Sequence, residues 1–177
     1  MEFKHFKVIL PPVIGGLYLY IPAILGYEHA EKLWSLLTGY VIPPLGKESI
    51  IPLGISVGID PILLLTSIII IDFLAGLFVY WNYDLIKKVP YLAKALNRVE
   101  SKAKKIVGKK WVGNVWWIGL TLFMIIPFQG TGAATASVIG RMLGVKWKVL
   151  VVVLVGSIIS SVSITFASET ILANLLP

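Results

Sequence analysis

Residues 42–49 read I-P-P-L-G-K-E-S, and they divide an apolar stretch, residues 33–59, into two short arms. A second apolar stretch, residues 115–144, is divided in the same way by I-P-F-Q-G-T-G at residues 126–132. The arms on either side of the two breaks have about 9 to 12 residues each, whereas a helix needs about 20 to cross the hydrocarbon layer. Both stretches are therefore predicted to be re-entrant helical hairpins, which enter a membrane and return to the same side.

Each predicted hairpin is followed by an apolar run long enough to cross a membrane, at residues 61–83 and 149–172. An earlier run, residues 8–27, is predicted to be a first span rather than a cleavable signal peptide, because it is long and lacks an obvious small-residue cleavage site. The unit of hairpin plus span therefore occurs twice, at residues 33–83 and 115–172.

The composition agrees with one membrane domain, residues 1–177, and not with a soluble protein. Hydrophobic residues make up 57% of the chain, charged residues 14%, and the mean hydropathy is +0.87. A soluble domain could not bury so much apolar surface, so the predicted fold class is an all-α polytopic membrane protein. Cysteine is absent, and His5 and His29 flank the first apolar run, so neither a metal site nor another cofactor is expected.

The lysine and arginine residues predict the orientation. Fourteen of the sixteen lie before the first apolar run, in the linker at residues 84–114, or near the end of the second hairpin. Their position in loops indicates a membrane protein rather than a nucleic-acid-binding one. All fourteen share one side only if both hairpins are re-entrant. The N-terminus and the linker are then cytoplasmic, the C-terminus is outside, and the two repeats are inverted, as in many secondary transporters.

A weak internal echo supports the duplication. Gly54 and Gly58 in the first repeat have the same spacing as Gly140 and Gly144 in the second. Small residues let helix backbones approach closely, so these glycines are predicted to serve helix packing.

The linker contains a predicted amphipathic helix that begins near Pro90. Its apolar residues follow spacings of four and three, and its basic residues occupy the other faces. We expect it to lie on the inner membrane surface against anionic lipid head groups. A soluble coiled-coil contact is the alternative. The apolar residues are Leu85, Val89, Leu92, Leu96, Val99, Ala103 and Ile106.

Asp72 is the acidic residue placed deepest by the predicted spans. It lies about 16 Å from the start of its run at 1.5 Å per residue, which is near the bilayer midplane. An acid at that depth should face the protein interior, where it is a candidate for proton or ion coupling. The alternative is a neutral Asp72 that only hydrogen-bonds a polar stripe on the last span, formed by Ser157, Ser161, Thr165 and Ser168.

The two hairpin tips carry the other candidate binding residues. Lys47 and Glu48 lie in the first break, where Lys47 and the start of a half-helix would attract an anion. Gln129 and Thr131 in the second break would face them across the midplane. The alternative is a Lys47–Glu48 pair that reaches the interface. Arg141 is interpreted as an inner-face anchor or as a guard of the inner vestibule. The turns are assigned to Pro43, Pro44, Gly46, Pro52, Pro127, Gly130 and Gly132.

Two segments carry a resemblance to a known family. Residues 46–61, G-K-E-S-I-I-P-L-G-I-S-V-G-I-D-P, and residues 126–144, I-P-F-Q-G-T-G-A-A-T-A-S-V-I-G-R-M-L-G, resemble the signature regions of the small multidrug export protein family of prokaryotic membrane proteins. More distantly they are similar to DedA membrane proteins, whose paired re-entrant hairpins and charged hairpin residues are linked to lipid-carrier flipping and proton coupling. Only Glu48 and Arg141 correspond to those charged positions. The resemblance implies a transporter-like membrane protein.

The sequence is therefore interpreted as an inverted-repeat transporter that moves a small anionic amphiphile, such as a lipid carrier, by alternating access at the two hairpin tips. Asp72 or Glu48 would take up a proton. Alternatives are an exporter of lipophilic cations, with both acids as counter-charges, and a membrane scaffold. No enzyme is expected. Ligands for a catalytic metal are lacking, and an intramembrane aspartyl hydrolase would need two acids that share a proton, for which Asp72 and Glu48 are the one deep pair. Three spans and two hairpins form only a thin wall between a polar site and lipid, so the chain is expected to form a homo-oligomer.

Overall fold

The computed structural model describes residues 2–41, 45–106, 116–125 and 132–175 of the chain. Every regular element within those ranges is an α-helix, which confirms the predicted all-α class. The helices, in chain order, are α1 (Glu2–Ile24), α2 (Ala30–Val41), α3 (Lys47–Ser56), α4 (Pro61–Ile86), α5 (Pro90–Ile106), α6 (Trp116–Ile125), α7 (Ala133–Met142) and α8 (Lys148–Leu175).

Three of the described helices are long and apolar enough to cross a membrane. The qualifying segments are Phe6–Ile24 of α1, Pro61–Ile86, which is all of α4, and Lys148–Asn174 of α8. The helices α2, α3, α6 and α7 are only about 15–18 Å long at 1.5 Å per residue, which is too short to cross. The chain is thus a membrane protein in which three long helices are accompanied by four shorter ones, of which Trp116–Ile125 (α6) is apolar.

The start of α4 shows how the sequence sets a helix boundary at a membrane surface. Asp60 precedes the helix, and its Oδ1 accepts a hydrogen bond from the amide of Leu63 at 2.8 Å. Pro61 follows at the first helical position, where its missing N–H costs nothing. The D-P pair therefore fixes the residue at which the apolar run becomes helical, and with it the position of Asp72 along the helix.

The short helices α3 and α7 end in the same way. Gly58 follows α3 with φ +85°, and Gly144 follows α7 with φ +70°, a left-handed conformation that glycine adopts without steric cost. In each case the next amide bonds to the carbonyl oxygen five residues earlier, from Ile59 to Gly54 at 3.0 Å and from Val145 to Gly140 at 2.9 Å.

Gly54 and Gly140 also occupy corresponding positions against the long helix that follows. A Cβ atom at Gly54 would overlap the side chain of Leu64, and one at Gly140 would overlap Val149. Only glycine lets α3 pack this closely on α4, and α7 on α8. The spacing shared by the two glycine pairs in the sequence thus corresponds to two junctions of the same construction.

The two ends of the helix bundle can be distinguished by their contacts. At one end, which we term the α5 end, the Nδ2 of Asn82 donates to the carbonyl oxygen of Lys7 at 2.8 Å, joining the last turns of α4 to the start of α1. The helix α5 packs there through Leu96, which lies in a buried cluster with Tyr83 and Val138. Its apolar face is therefore turned, at Leu96, toward the protein.

At the other end, which we term the Asp60 end, the Nζ of Lys32 donates to the carbonyl oxygen of Val57 at 3.4 Å. The start of α2 thus lies beside the end of α3, and the two helices form an antiparallel pair. Their apolar sides are buried together against α4 in a cluster that consists of Leu33, Leu37, Ile50, Ile51, Ile59, Leu64 and Ile68. The pair therefore begins and ends at the Asp60 end, with its tip toward the middle of α4.

Candidate functional site

The first residue of α3 forms a buried ion pair with the middle of α4. The Nζ of Lys47 lies 2.8 Å from the Oδ2 of Asp72, and the two side chains are only 9% and 5% exposed. Each ion loses several kcal/mol of hydration on such burial, so neither could be held there without a partner of opposite charge and further hydrogen bonds. The position of Asp72 near the middle of the 26-residue α4 makes this the innermost charge pair among the described residues.

Three hydroxyl groups complete the hydrogen bonds of the pair. Ser157 donates to the Oδ2 of Asp72 at 2.6 Å, and the Tyr40 hydroxyl donates to the Oδ1. The Nζ of Lys47 donates to the Oγ of Ser160 at 2.9 Å. Both carboxylate oxygens of Asp72 therefore accept hydrogen bonds. We call these five residues the central cluster.

Four helices contribute to the central cluster. Tyr40 lies near the end of α2, Lys47 begins α3, Asp72 is in α4, and Ser157 and Ser160 lie three residues apart on one side of α8. The helix α2 extends to Val41 and α3 begins at Lys47, so the lysine lies at the tip of the α2–α3 pair. A movement of that pair against α4 and α8 would break the cluster.

Glu48 does not take part in this ion pair, although it is adjacent to Lys47. Its carboxylate folds back over Gly46, where a Cβ atom would overlap its two oxygens. It therefore lies beside the first turn of α3, whose N–H groups favour negative charge. In the structure the ammonium group of Lys47 contacts Asp72, while the anion site and the Lys47–Glu48 pair stay predictions.

Arg141 lies in a different cluster, at the α5 end. Its Nη2 is 2.8 Å from the Oδ2 of Asp84, and its guanidinium carbon lies 5.4 Å and 5.3 Å from the ring centroids of Tyr80 and Tyr83. Asp84 is twelve residues beyond Asp72, which is about 18 Å along α4. Arg141 thus holds the end of α7 to the end of α4 and does not contact the central cluster.

A further ion pair joins α5 to the same end of α4. The Nζ of Lys87 lies 2.9 Å from the Oε1 of Glu100, and the Tyr83 hydroxyl donates to the same oxygen at 2.5 Å. The hydrogen bond with Glu100 is the main reason why the pKa of Lys87 is raised above 10.5. These contacts fix α5 against the bundle, and Lys94 and Arg98 of this helix are exposed.

Several predicted residues lie outside the ranges that the structure describes. They include Gln129 and Thr131 of the second tip and the turn residues Pro43, Pro44, Pro127 and Gly130. The facing of the two tips across the midplane therefore stays a prediction. Of the remaining turn residues, Gly46 and Gly132 directly precede α3 and α7, and Pro52 lies inside α3.

Sequence reasoning identified the charged residues of the central cluster but did not identify the residues that they contact. Lys47 and Asp72 were both predicted, but not as a pair, although both were placed near the midplane, and two opposite charges at one depth in lipid are a signal for pairing. Ser160 lies beside the recognised stripe. Tyr40 had no signal, because a tyrosine at the end of an apolar helix is common in membrane proteins.

No described residues form a group of three or more histidine, cysteine, aspartate or glutamate side chains able to hold a metal ion.

Among known proteins, a family model described as "putative small multi-drug export protein" matches residues 49–164, about two thirds of the chain. The match starts just after Lys47 and includes Asp72, Ser157 and Ser160. No curated protein and no solved structure matches the chain. The family is one of export proteins, which is not an enzyme class, and the likeness to DedA proteins stays a prediction.

Proposed function

Because the chain belongs to the small multi-drug export protein family, we propose that it is a membrane exporter in which changes of charge at the central cluster drive export. The observation that carries the proposal is the ion pair of Lys47 and Asp72, held almost without exposure near the middle of an apolar helix. Charges at that depth are expensive and are rarely retained without a function. The pair also joins the short helix α3 to the long helices α4 and α8, so a change in its charge acts on their packing.

The mechanism proposed for the pair is an exchange of partners. In the structure Asp72 neutralises Lys47. When Asp72 takes up a proton, the ammonium group loses its counter-charge, and together with the N-terminus of α3 it becomes an anion site. An anionic amphiphile, bound there by its head group, would restore neutrality. Proton uptake and anion binding are then coupled, because either one alone leaves an unbalanced charge in the membrane interior.

Alternating access at two re-entrant hairpins is the proposed movement. It is supported by the antiparallel α2–α3 pair, which begins and ends at the Asp60 end, and by the matching junctions after α3 and α7. Inverted repeats with discontinuous helices at the site are typical of secondary transporters. The α5 end would face the cytoplasm, in agreement with its basic residues.

An exporter of lipophilic cations is the second candidate. It is favoured by the donors around Asp72, since Tyr40 and Ser157 would keep the carboxylate in place while an organic cation replaced Lys47. In this version Asp72 is a counter-charge and need not bind a proton. The family description, which refers to drugs, agrees with either substrate class.

The surroundings proposed for the exporter are anionic lipids and further copies of the chain. Lys94 and Arg98 are exposed on α5, on the side away from Leu96, where lipid head groups could bind them. Large apolar side chains such as Phe6 and Leu17 are exposed along α1 and would face lipid or a second subunit. Crosslinking in native membranes tests the oligomer, which is contradicted if only monomers are recovered.

The test is transport by the purified protein in liposomes that contain a pH-sensitive dye. A fluorescent short-chain phosphatidate serves as the anionic probe and tetraphenylphosphonium as the cationic one. We expect phosphatidate-dependent proton movement that Asp72→Asn abolishes and Asp84→Asn leaves intact. Asp84 is the matched control, because it is an acid on the same helix that is largely exposed.

Three results would contradict parts of the proposal. Proton movement that survives in Asp72→Asn excludes this residue as the proton carrier. Transport of tetraphenylphosphonium but not of phosphatidate favours the second candidate. If neither probe moves, and Lys47→Gln and Asp72→Asn keep the cellular phenotype of the wild type, the protein is a scaffold.

A further inference from the structure

Buried polar atoms without a hydrogen-bond partner mark two regions of the bundle. Such atoms are uncommon in folded proteins, because burial without a partner costs free energy. Among the described residues they are the Oδ1 of Asn82, the Oγ of Ser137, the Nε of Arg141, the Oγ of Ser161 and the Oγ1 of Thr165. Four of these five lie on two lines that lead away from Asp72 in opposite directions.

The first line, which we term the outer seam, runs along α8 toward the Asp60 end. It begins at Ser157, which bonds to Asp72, and continues at intervals of three or four residues through Ser161, Thr165 and Ser168. All four are buried, with Ser161 fully so and Thr165 at 9% exposure. Eleven residues of helix make the seam about 16 Å long, enough to reach from mid-depth to the surface.

The second line, which we term the inner seam, runs between α4 and α7 toward the α5 end. Gly76 lies one turn after Asp72, and a Cβ atom placed on it would be 3.0 Å from the Oγ of Ser137. The missing side chain therefore leaves the Ser137 hydroxyl against the bare backbone of α4. One turn further along α7 lies Arg141, which bonds to Asp84 through Nη2 while its Nε has no partner.

The spacing along the seams fits water. Side chains one helical turn apart are separated by about 6 Å, which is twice the length of a hydrogen bond to a hydroxyl group, so one water molecule can bridge each step. Each serine or threonine hydroxyl both donates and accepts. A bound cation is disfavoured, because Asp72 is already neutralised by Lys47 and the inner seam ends at a guanidinium group.

We propose that the two seams are hydrated half-channels that meet at Asp72, and that they connect its carboxylate to water at opposite ends of the bundle. This inference rests on the proposed function, which it deepens by naming the routes of the proton. The outer seam supplies protons from the Asp60 end and the inner seam releases them at the α5 end, or the reverse. Lys47 and Asp72 separate the two routes, so that a proton crosses only by binding to the carboxylate.

The chain offers a direct test, because it contains no cysteine and single cysteines can be introduced without background. The variants are Ser161→Cys and Thr165→Cys for the outer seam and Ser137→Cys for the inner one. Ile68→Cys and Val149→Cys are the matched controls, since both positions are fully buried but lie in apolar clusters on α4 and α8. The full-length variants are placed in liposomes and exposed to a sulfonate-bearing methanethiosulfonate, which does not cross membranes.

The cysteine thiolate attacks this reagent to form a mixed disulfide and releases methanesulfinate, and the thiolate forms only where water reaches the thiol. We therefore expect the three seam cysteines to react at least about tenfold faster than the two controls. Ser161→Cys and Thr165→Cys should be labelled only when the reagent is on one side of the membrane. Ser137→Cys should be labelled only when it is on the other side. Thr165→Cys replaces Ser161→Cys if the latter does not fold.

Two outcomes overturn the inference. Seam cysteines that react as slowly as the controls show that the seams are dry and serve packing only. Labelling of all three from the same side shows one cavity instead of two half-channels. Neither measurement needs a substrate or a proton gradient, so the half-channels can fail while phosphatidate-dependent proton movement persists, and the transport proposal can fail while the seams are hydrated.

Discussion

Asp72 and Asp84 lie on the same helix, α4, and each forms an ion pair with an N–O distance of 2.8 Å. Their surroundings differ: the side chains of Lys47 and Asp72 are 9% and 5% exposed, whereas those of Arg141 and Asp84 are 32% and 77% exposed. The two pairs therefore differ in their contribution to stability although their N–O distances are equal. Burial makes each member of the first pair dependent on the other, while water and salt can replace either member of the second.

The comparison also separates two functions that a charge pair can have in a membrane protein. The pair at the α5 end ties α7 to α4 where both helices reach water, so it contributes to position. The central pair is shielded from solvent, which cannot compensate the loss or gain of a proton there, so it is the pair that we propose to act as a switch. The predictions below test this contrast, from the largest expected effect to the smallest.

Breaking the buried pair should have the largest effect on stability. Asp72→Leu leaves the ammonium of Lys47 buried without a counter-charge, and we expect the free energy of unfolding to fall by about 3–5 kcal/mol. The double variant Lys47→Met with Asp72→Leu removes both charges and should recover most of that loss. Unfolding in detergent, followed by tryptophan fluorescence, measures both. A double variant as unstable as Asp72→Leu would show that the charges do not depend on each other.

Removing one hydroxyl donor should have an intermediate effect, and a larger one at the central cluster than at the α5 end. Ser157→Ala leaves the buried Oδ2 of Asp72 with one donor fewer, which should lower the free energy of unfolding by about 1–3 kcal/mol. Ser101→Ala removes an exposed hydroxyl of α5, which donates to the carbonyl oxygen of Asn97 at 2.8 Å. It is the matched control, with an expected loss of about 1 kcal/mol or less. Equal losses would mean that burial does not distinguish the two hydroxyl groups.

The sequence predicted the fold class and the candidate charges because both follow from the length of apolar runs. Fourteen basic residues outside those runs and Asp72 within one are visible without any structure. The partners were not predictable, because they depend on which helix faces which. The close approach of Gly54 to Leu64 brings α3 onto α4, and thereby Lys47 to Asp72. A glycine pattern indicates that a close contact exists but not which helix makes it.

The pairing of Arg141 was missed for a related reason. Its basic character predicted an anchor at the inner face, and in the structure its guanidinium group contacts Asp84 and two tyrosine rings. Tyr80 and Asp84 lie four residues apart on one face of α4, which the continuous apolar pattern of that helix conceals. An isolated acid one turn from an aromatic residue is too common to be read as a binding site for arginine.

Neutralising the exposed pair should have a small effect that salt removes. We expect Asp84→Asn to lower the free energy of unfolding by about 0–1 kcal/mol, because the pair is largely solvated. At an ionic strength near 1 M, where the screening length falls to about 3 Å, the difference from wild type should vanish. The loss in Asp72→Asn should persist in the same buffer. A salt-dependent loss at Asp72 would contradict the contrast between the two sites.

The pair of Lys87 and Glu100 extends the comparison to a second ion pair at the α5 end, whose lysine side chain is 43% exposed and for which the smallest effect is expected. The hydrogen bond to Glu100 and, to a smaller extent, the one to Tyr83 raise the pKa of Lys87 above 10.5. The contribution of Lys87 to stability is therefore complete below about pH 10.5 and is lost as the pH rises through the higher pKa of the folded state. The difference in melting temperature between wild type and Lys87→Gln should thus be constant from neutral pH to about pH 10 and shrink above it. A difference that grows in that range would mean that Lys87 stabilises the helix end in its neutral form, and that solvent-exposed pairs in this protein act through packing rather than charge.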